Sequence, residues 1–195
     1  MGRGYPVPRP KPWQNSPVTF ADLGALLETM ALACRATRIL EIGTGAGDST
    51  LSLARALPSD GMMITMEIDA ARAGRARDRI AAAGHAGQVS VMVGEARRFL
   101  HKIAGPFDLI FQNSDPALFE PMHDRLVDLL RPGGILMTDN ILGNDEVIPG
   151  EVANPRRSRE HTAAMVSFNQ KLAADPRLHT SFLQVGDGAS VSVKL

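Results

Sequence analysis

A single cysteine, Cys34, stands in 195 residues. No disulfide can form within the chain, and a reducing compartment, the cytoplasm, is the expected location. Cys34 itself reads as a small hydrophobe on a helix. Neither sign of charge is in excess, with Lys+Arg and Asp+Glu at 21 each. That balance argues against a protein that grips nucleic acid through bulk positive charge. No apolar run approaches the length that spans a bilayer, so neither nucleic acid nor membrane is an expected partner. The N-terminus is polar and proline-laden, which is not the pattern of a secretory leader. What is present is ordinary for a globular protein: 44% hydrophobic and 22% charged residues, in a length that suits one domain with a small appendage.

The appendage is an arm at residues 1–17, where Pro6, Pro8, Pro10 and Pro12 alternate with other residues and Pro17 ends the run. Proline fixes φ and removes a donor, so the arm is expected to be extended, as a packing tail, a cover over a site or a dimer arm. From residue 18 to 195 a folded domain is expected. Thr19–Cys34 has helical spacing. Strand-like runs then alternate with helical ones: strands at Ile39–Ile42, Met62–Ile68, Val89–Val93, Phe107–Gln112 and Ile135–Asp139, and helices at Ser49–Leu57, Ala70–Ala83, Glu95–Ile103 and Leu118–Leu130. An irregular stretch from Asn140 to Arg157, a helix to Ala174, and strands Ser181–Val185 and Ser190–Leu195 around Gly186-Asp187-Gly188 complete the chain. This alternation predicts an α/β fold with a parallel sheet covered by helices on both faces. The closing hairpin adds one antiparallel strand at the end of the sheet.

The first strand runs into Gly43-Thr-Gly45-Ala-Gly47, with Glu41 two residues before the first glycine. Glycines let the backbone turn sharply and approach a ligand, and the carboxyl ends of strands are where open α/β sheets bind one. The spacing is E-x-G-x-G-x-G, which differs from the G-x-G-x-x-G of dinucleotide binders and disfavours a nicotinamide oxidoreductase. The second strand ends in Glu67-Ile68-Asp69, a carboxylate placed to accept from both hydroxyls of a ribose. The third strand ends in Gly94-Glu95-Ala96, where a purine has room, the fourth in Gln112-Asn113-Ser114-Asp115, and the fifth in Asp139-Asn140. Five such ends on one edge make a cleft.

This ordered set resembles class I S-adenosylmethionine-dependent methyltransferases, and more closely the cation-dependent O-methyltransferases that include the catechol and caffeoyl-CoA enzymes. Leu40–Thr50, Glu67–Asp69, Gly105–Phe111, Leu130–Leu136, Asp139–Leu142, Phe168-Asn169 and Val185–Gly188 carry the likeness. It implies a Rossmann-like methyltransferase fold with seven strands, mostly parallel, and a small-molecule hydroxyl as acceptor. By resemblance, Glu41, Gly43, Gly45 and Ser49 hold the methionine end of the cofactor, Glu67 the ribose, and Ile68, Glu95 and Ala96 the adenine. Glu95 has a second reading, as an acidic residue favouring a helix start. The resemblance also implies a homodimer.

Two positions depart from the family pattern. In the metal-using relatives the fourth strand ends with an aspartate that ligates a divalent cation and a lysine that acts as base. Here Asn113 and Pro116 stand in those places, while Asp139 and Asn140 match the other two metal ligands. Asn113, counted with the cofactor-binding residues as well, offers a neutral amide oxygen. That change weakens a magnesium site, although calcium sites accept such oxygens. Asp115 is placed to substitute. For the base, the candidates are Asp115, His123 and His161. The segment Ile148–Arg159 reads as a lid, with Arg156, Arg157 and Arg159 able to meet an acidic substrate. The rival reading is a binding protein that kept the S-adenosylmethionine pocket and lost the chemistry.

Overall fold

The computed structural model describes residues 20–142 and 159–195, of which residues 20–22 and 159 are described by backbone alone. The proline-rich arm and the segment carrying Arg156 and Arg157 lie outside the described residues.

Seven strands form one sheet in the order β3-β2-β1-β4-β5-β7-β6. The strands β1 (Arg38–Ile42), β2 (Met62–Glu67), β3 (Val89–Val93), β4 (Phe107–Gln112) and β5 (Leu130–Asp139) are mutually parallel. The strand order reverses between β1 and β4, and the loops that follow their carboxyl ends carry site residues. Antiparallel pairing is confined to β7 (Ala189–Lys194), which inserts between β5 and β6 (Leu178–Leu183). The antiparallel strand therefore lies one place in from the edge, and β6 is the edge strand.

Strand residues alternate between two cores because successive side chains leave opposite faces of a sheet. Ile39, Leu109, Phe111 and Met137 face a cluster with Leu27, Leu53 and Ile80 from α1 (Phe20–Ala33), α2 (Asp48–Arg55) and α3 (Ala70–Ala82). Leu40, Ile42, Ile110 and Leu136 face the opposite cluster, with Leu100, Leu126 and Phe168 from α4 (Ala96–Leu100), α5 (Phe119–Leu129) and α6 (Arg159–Ala174).

Several boundaries differ from those the sequence predicts; α4, for example, ends at Leu100 rather than Ile103. β5 begins at Leu130 rather than Ile135, and the bulge between β4 and β5 absorbs Pro132-Gly133-Gly134 without ending the strand. β6 begins at Leu178, where Thr180 and Ser192 share a 2.9 Å hydroxyl contact across the β6–β7 pair. The helix after β4 starts as a 3-10 turn at Pro116–Leu118, with Asp115 as its cap through a 3.0 Å bond from the Ala117 N–H.

Candidate active site

The glycine loop is folded by contacts the strand order makes available. The Gly43 and Thr44 N–H groups donate to the Met66 carbonyl at 2.9 and 3.1 Å, tying the loop to the end of β2. Gly43 has φ +99°, and a Cβ there would lie 2.0 Å from the Asn113 carbonyl oxygen. Only glycine lets the end of β1 pass so close to the end of β4. Beneath the loop, Arg79 on α3 donates to the Ala46 carbonyl at 2.5 Å and to Asp48 at 2.6 Å. Around Gly45, by contrast, no atom lies within 4 Å of a Cβ position. The loop is held from below and opens above.

Glu67 forms one wall of that opening. Its carboxylate accepts from the Gly45 N–H at 2.8 Å and the Asp69 N–H at 3.0 Å, and Arg72 lies 3.6 Å away. Each carboxylate oxygen keeps acceptor capacity for a further hydroxyl. Ile68, the next residue, is 68% exposed. A buried, preorganised carboxylate beside an uncovered apolar side chain fits a ribose and the face of a purine. Glu95 stands at the start of α4 without capping it through its side chain and pairs with Arg98 at 3.1 Å, while Ala96 packs against the second core.

Glu41 is placed differently from a surface ligand. It is fully buried on the α1–α3 side, where Ser49, Thr50 and Thr65 donate to it at 2.6, 2.5 and 2.6 Å. Burial pushes its carboxyl up to about 7, against the pull of those three hydroxyls. Ser49, itself buried, is bonded to it, so Glu41 and Ser49 act as one unit under the loop. A folded-state value above the unfolded 4.5 means that stability from this group is full below about 4.5 and is lost as pH rises through about 7. Glu41→Gln should remove that loss. We expect its melting temperature, relative to the unsubstituted protein, to rise between pH 5 and pH 8 by the equivalent of roughly 3 kcal/mol. A constant difference across that range would contradict the assignment.

The metal positions implied by resemblance lie at the ends of neighbouring strands. Asp139 ends β5 and Asn140 follows it, while Asn113 follows β4, one step past the Gln112 and Thr138 partners. Burial and nearby Asp187 push the Asp139 carboxyl up to about 6, although the Asn140 N–H donates to it at 2.7 Å. Asp139, Asn140 and Asn113 offer one carboxylate and two amide oxygens, ligand types that a divalent cation accepts, with less charge than a three-carboxylate site. The elbow is clasped from outside: Asn140 has φ +63°, Asn169 donates to the Ile141 carbonyl at 2.8 Å, and Ile141 and Leu142 N–H groups bond the Gly188 and Asp187 carbonyls.

Two of the base candidates meet. His161, in the first turn of α6, places Nδ1 3.9 Å from the Asp115 carboxylate. His123 does not belong with them. It is fully buried on α5, with Nε2 2.7 Å from Asp175 and its ring edge-on to Phe168. His123, Asp124 and Asp175 are close enough to suggest a metal cluster. Arg177, however, bonds both carboxylates, at 2.7 and 2.6 Å, so the group is an ion-pair network that holds Asp175 well below the usual carboxylate range. Sequence reading missed the Thr50 and Thr65 bonds to Glu41 and the Arg79 brace. Arg79 carried a signal only as one of several arginines on α3.

The order of strands, the glycine loop between β1 and α2, and the carboxylate ending β2 define a Rossmann-like methyltransferase fold of the S-adenosylmethionine-dependent class. The chain belongs to the O-methyltransferase family, whose sequence model matches residues 10–195. It is 33% identical over 187 residues to caffeoyl-CoA O-methyltransferase 1 of Arabidopsis thaliana, covering 92% of this chain and 72% of that one. It is 34% identical over 166 residues to a catechol O-methyltransferase of Niastella koreensis, covering 83% and 73%. Among solved structures, the O-methyltransferase TomG of Streptomyces achromogenes, involved in tomaymycin synthesis and bound to S-adenosylmethionine, superposes with a TM-score of 0.79 at 30% identity, covering 89% of this chain and 80% of that one. The O-methyltransferase of Bacillus cereus with S-adenosylhomocysteine gives 0.79 at 31%, covering 89% and 81%. No helix among the described residues is long and apolar enough to cross a membrane.

Proposed function

We propose that the protein transfers the methyl group of S-adenosylmethionine to a hydroxyl of a small phenolic molecule, in the cytoplasm. The observation that carries this reading is the Glu67 carboxylate, buried and fixed by the Gly45 and Asp69 N–H groups beside exposed Ile68. When bound, the cofactor supplies a sulfonium methyl open to in-line attack. Glu67 binds the ribose hydroxyls, Ile68 and Ala96 flank the adenine with Glu95 at its edge, and the loop from Gly43 to Gly47, braced by the buried Glu41–Ser49 unit, holds the methionine end. The protein's own work is to orient the acceptor and exclude water, since positioning alone supplies a large part of such rate enhancements. Asp139, Asn140 and Asn113 would hold a divalent cation, magnesium or calcium, which would stabilise negative charge on the acceptor oxygen.

The similarity to caffeoyl-CoA and catechol O-methyltransferases supports a catechol or caffeoyl-type acceptor. Incubation with S-adenosylmethionine and 3,4-dihydroxybenzoate, with magnesium, with calcium and with chelator, is expected to give the monomethyl ether by mass spectrometry. A second reading, binding without transfer, is favoured by Asn113 and Pro116. Cofactor binding with no ether from any catechol, caffeoyl or flavonoid acceptor in any of the three conditions would establish it and exclude the first. A homodimer across the edge strand β6 is supported by exposed Phe182 and Leu195. Sedimentation at a monomer's mass would remove that part.

A further inference from the structure

Two elements distant in sequence, α6 and the turn before β7, meet at the elbow that follows Asp139. Asn140 has φ +63° there, a left-handed backbone that a residue with a side chain adopts at a cost. The groups just past it are tied on both sides. Asn169 Nδ2 on α6 donates to the Ile141 carbonyl at 2.8 Å, the Ile141 N–H donates to the Gly188 carbonyl at 3.1 Å, and the Leu142 N–H to the Asp187 carbonyl at 2.9 Å. Gly188 has φ +88°, and a Cβ there would lie 2.3 Å from Leu142 Cγ, so glycine is what lets the turn close on the elbow. Asp139 itself pairs with Ala189 of β7.

Asn169 is fixed from behind. Its neighbour Phe168 is fully buried, with its ring 5.2 Å from that of Phe119 on α5, and Met165 and Leu172 are fully buried one turn before and after. The amide does not serve packing alone. Its Oδ1 is buried and accepts no hydrogen bond among the described residues. A buried acceptor without a partner lowers stability, a cost that an alanine or leucine would avoid. Such local costs are kept where a site needs them, and the hydrogen bond this side chain makes goes to the elbow.

We propose that Asn169 is a positioning residue for the cation site: with the Asp187-Gly188 turn it clasps the elbow and sets which divalent ion the site prefers. The proposal rests on the cation reading of Asp139, Asn140 and Asn113 above. Magnesium demands near-ideal octahedral geometry, whereas calcium accepts more oxygens in a flexible arrangement. A held elbow therefore favours the stricter ion and offsets part of what the neutral Asn113 amide takes away. A loosened elbow shifts the preference toward calcium. Partners that orient metal ligands without touching the metal contribute about 10–100-fold in affinity.

Manganese EPR of the S-adenosylhomocysteine complex, with magnesium and calcium as competitors, reads cation affinity without turnover. The variants are Asn169→Ala and Asn169→Asp, the second keeping the shape but, when ionised, unable to donate. Both should weaken magnesium by about 10–100-fold and calcium by less than about threefold. Calorimetry should find S-adenosylhomocysteine affinity unchanged. Leu172→Val, in the same helix but away from the elbow bond, controls for a merely structural effect. It should lower the melting temperature and leave both cation affinities as they are. In turnover with 3,4-dihydroxybenzoate, raising magnesium should restore kcat in the Asn169 variants. In the wild-type protein, the Asn169 side-chain amide resonances should shift on saturation with magnesium, a measurement that needs no variant to fold. Folded Asn169 variants with the wild-type magnesium-to-calcium ratio, or wild-type Asn169 resonances that ignore magnesium, would overturn the clasp and leave the methyltransferase reading standing. So would wild-type protein that binds S-adenosylhomocysteine but none of the three cations. Wild-type protein that fails to bind S-adenosylhomocysteine would remove both.

Discussion

Gly43→Ala should cost roughly 3–6 kcal/mol of stability, the sum of a strained positive φ and an unrelieved overlap. The backbone there has φ +99°, and the new Cβ would lie 2.0 Å from the Asn113 oxygen and 2.8 Å from its carbonyl carbon. Neither atom can yield easily, because the Asn113 N–H is itself bonded to the Ile42 carbonyl at 2.8 Å. The ends of β1 and β4 must separate, and the cofactor loop moves with them. For a chain of this size the melting temperature should fall by about 10–20 °C. Gly45→Ala is the internal comparison, since its φ is +56° and its Cβ position is empty. It should cost only about 1 kcal/mol while obstructing the ligand side of the loop. Similar melting temperatures for the two variants would show that the close approach of β1 to β4 is not a constraint.

Glu67→Gln should weaken S-adenosylhomocysteine binding by about 100-fold, while the fold survives. The substitution keeps the size of the side chain and one acceptor oxygen, so either the Gly45 or the Asp69 N–H keeps its partner. What it removes is the charge that makes each ribose hydrogen bond strong. Such bonds contribute about 1.5–3 kcal/mol, and each 1.4 kcal/mol is tenfold in affinity. Unchanged affinity in a folded Glu67→Gln protein would place the ribose elsewhere.

The features legible in the sequence are the local ones. Strand-end glycines and carboxylates announce themselves by short-range spacing, and the alternation of apolar runs gives the parallel sheet. The pairing of Glu41 with Thr65 was not legible, because it depends on the register between β1 and β2. Nor was the meeting of Asp115 with His161, which follows from α6 packing on the turn after β4. His123 looked like any other histidine until the fold sealed it against Asp175 and Phe168. The start of β5 was misplaced because Pro132-Gly133-Gly134 reads as a break, while a bulge lets the strand continue through it.

Parallel calorimetric titrations of the wild-type protein with S-adenosylhomocysteine and with NADH identify the ligand that binds over the glycine loop. Saturable binding of S-adenosylhomocysteine and none of NADH is the expected result. Tighter binding of NADH, or no binding of S-adenosylhomocysteine, would contradict it.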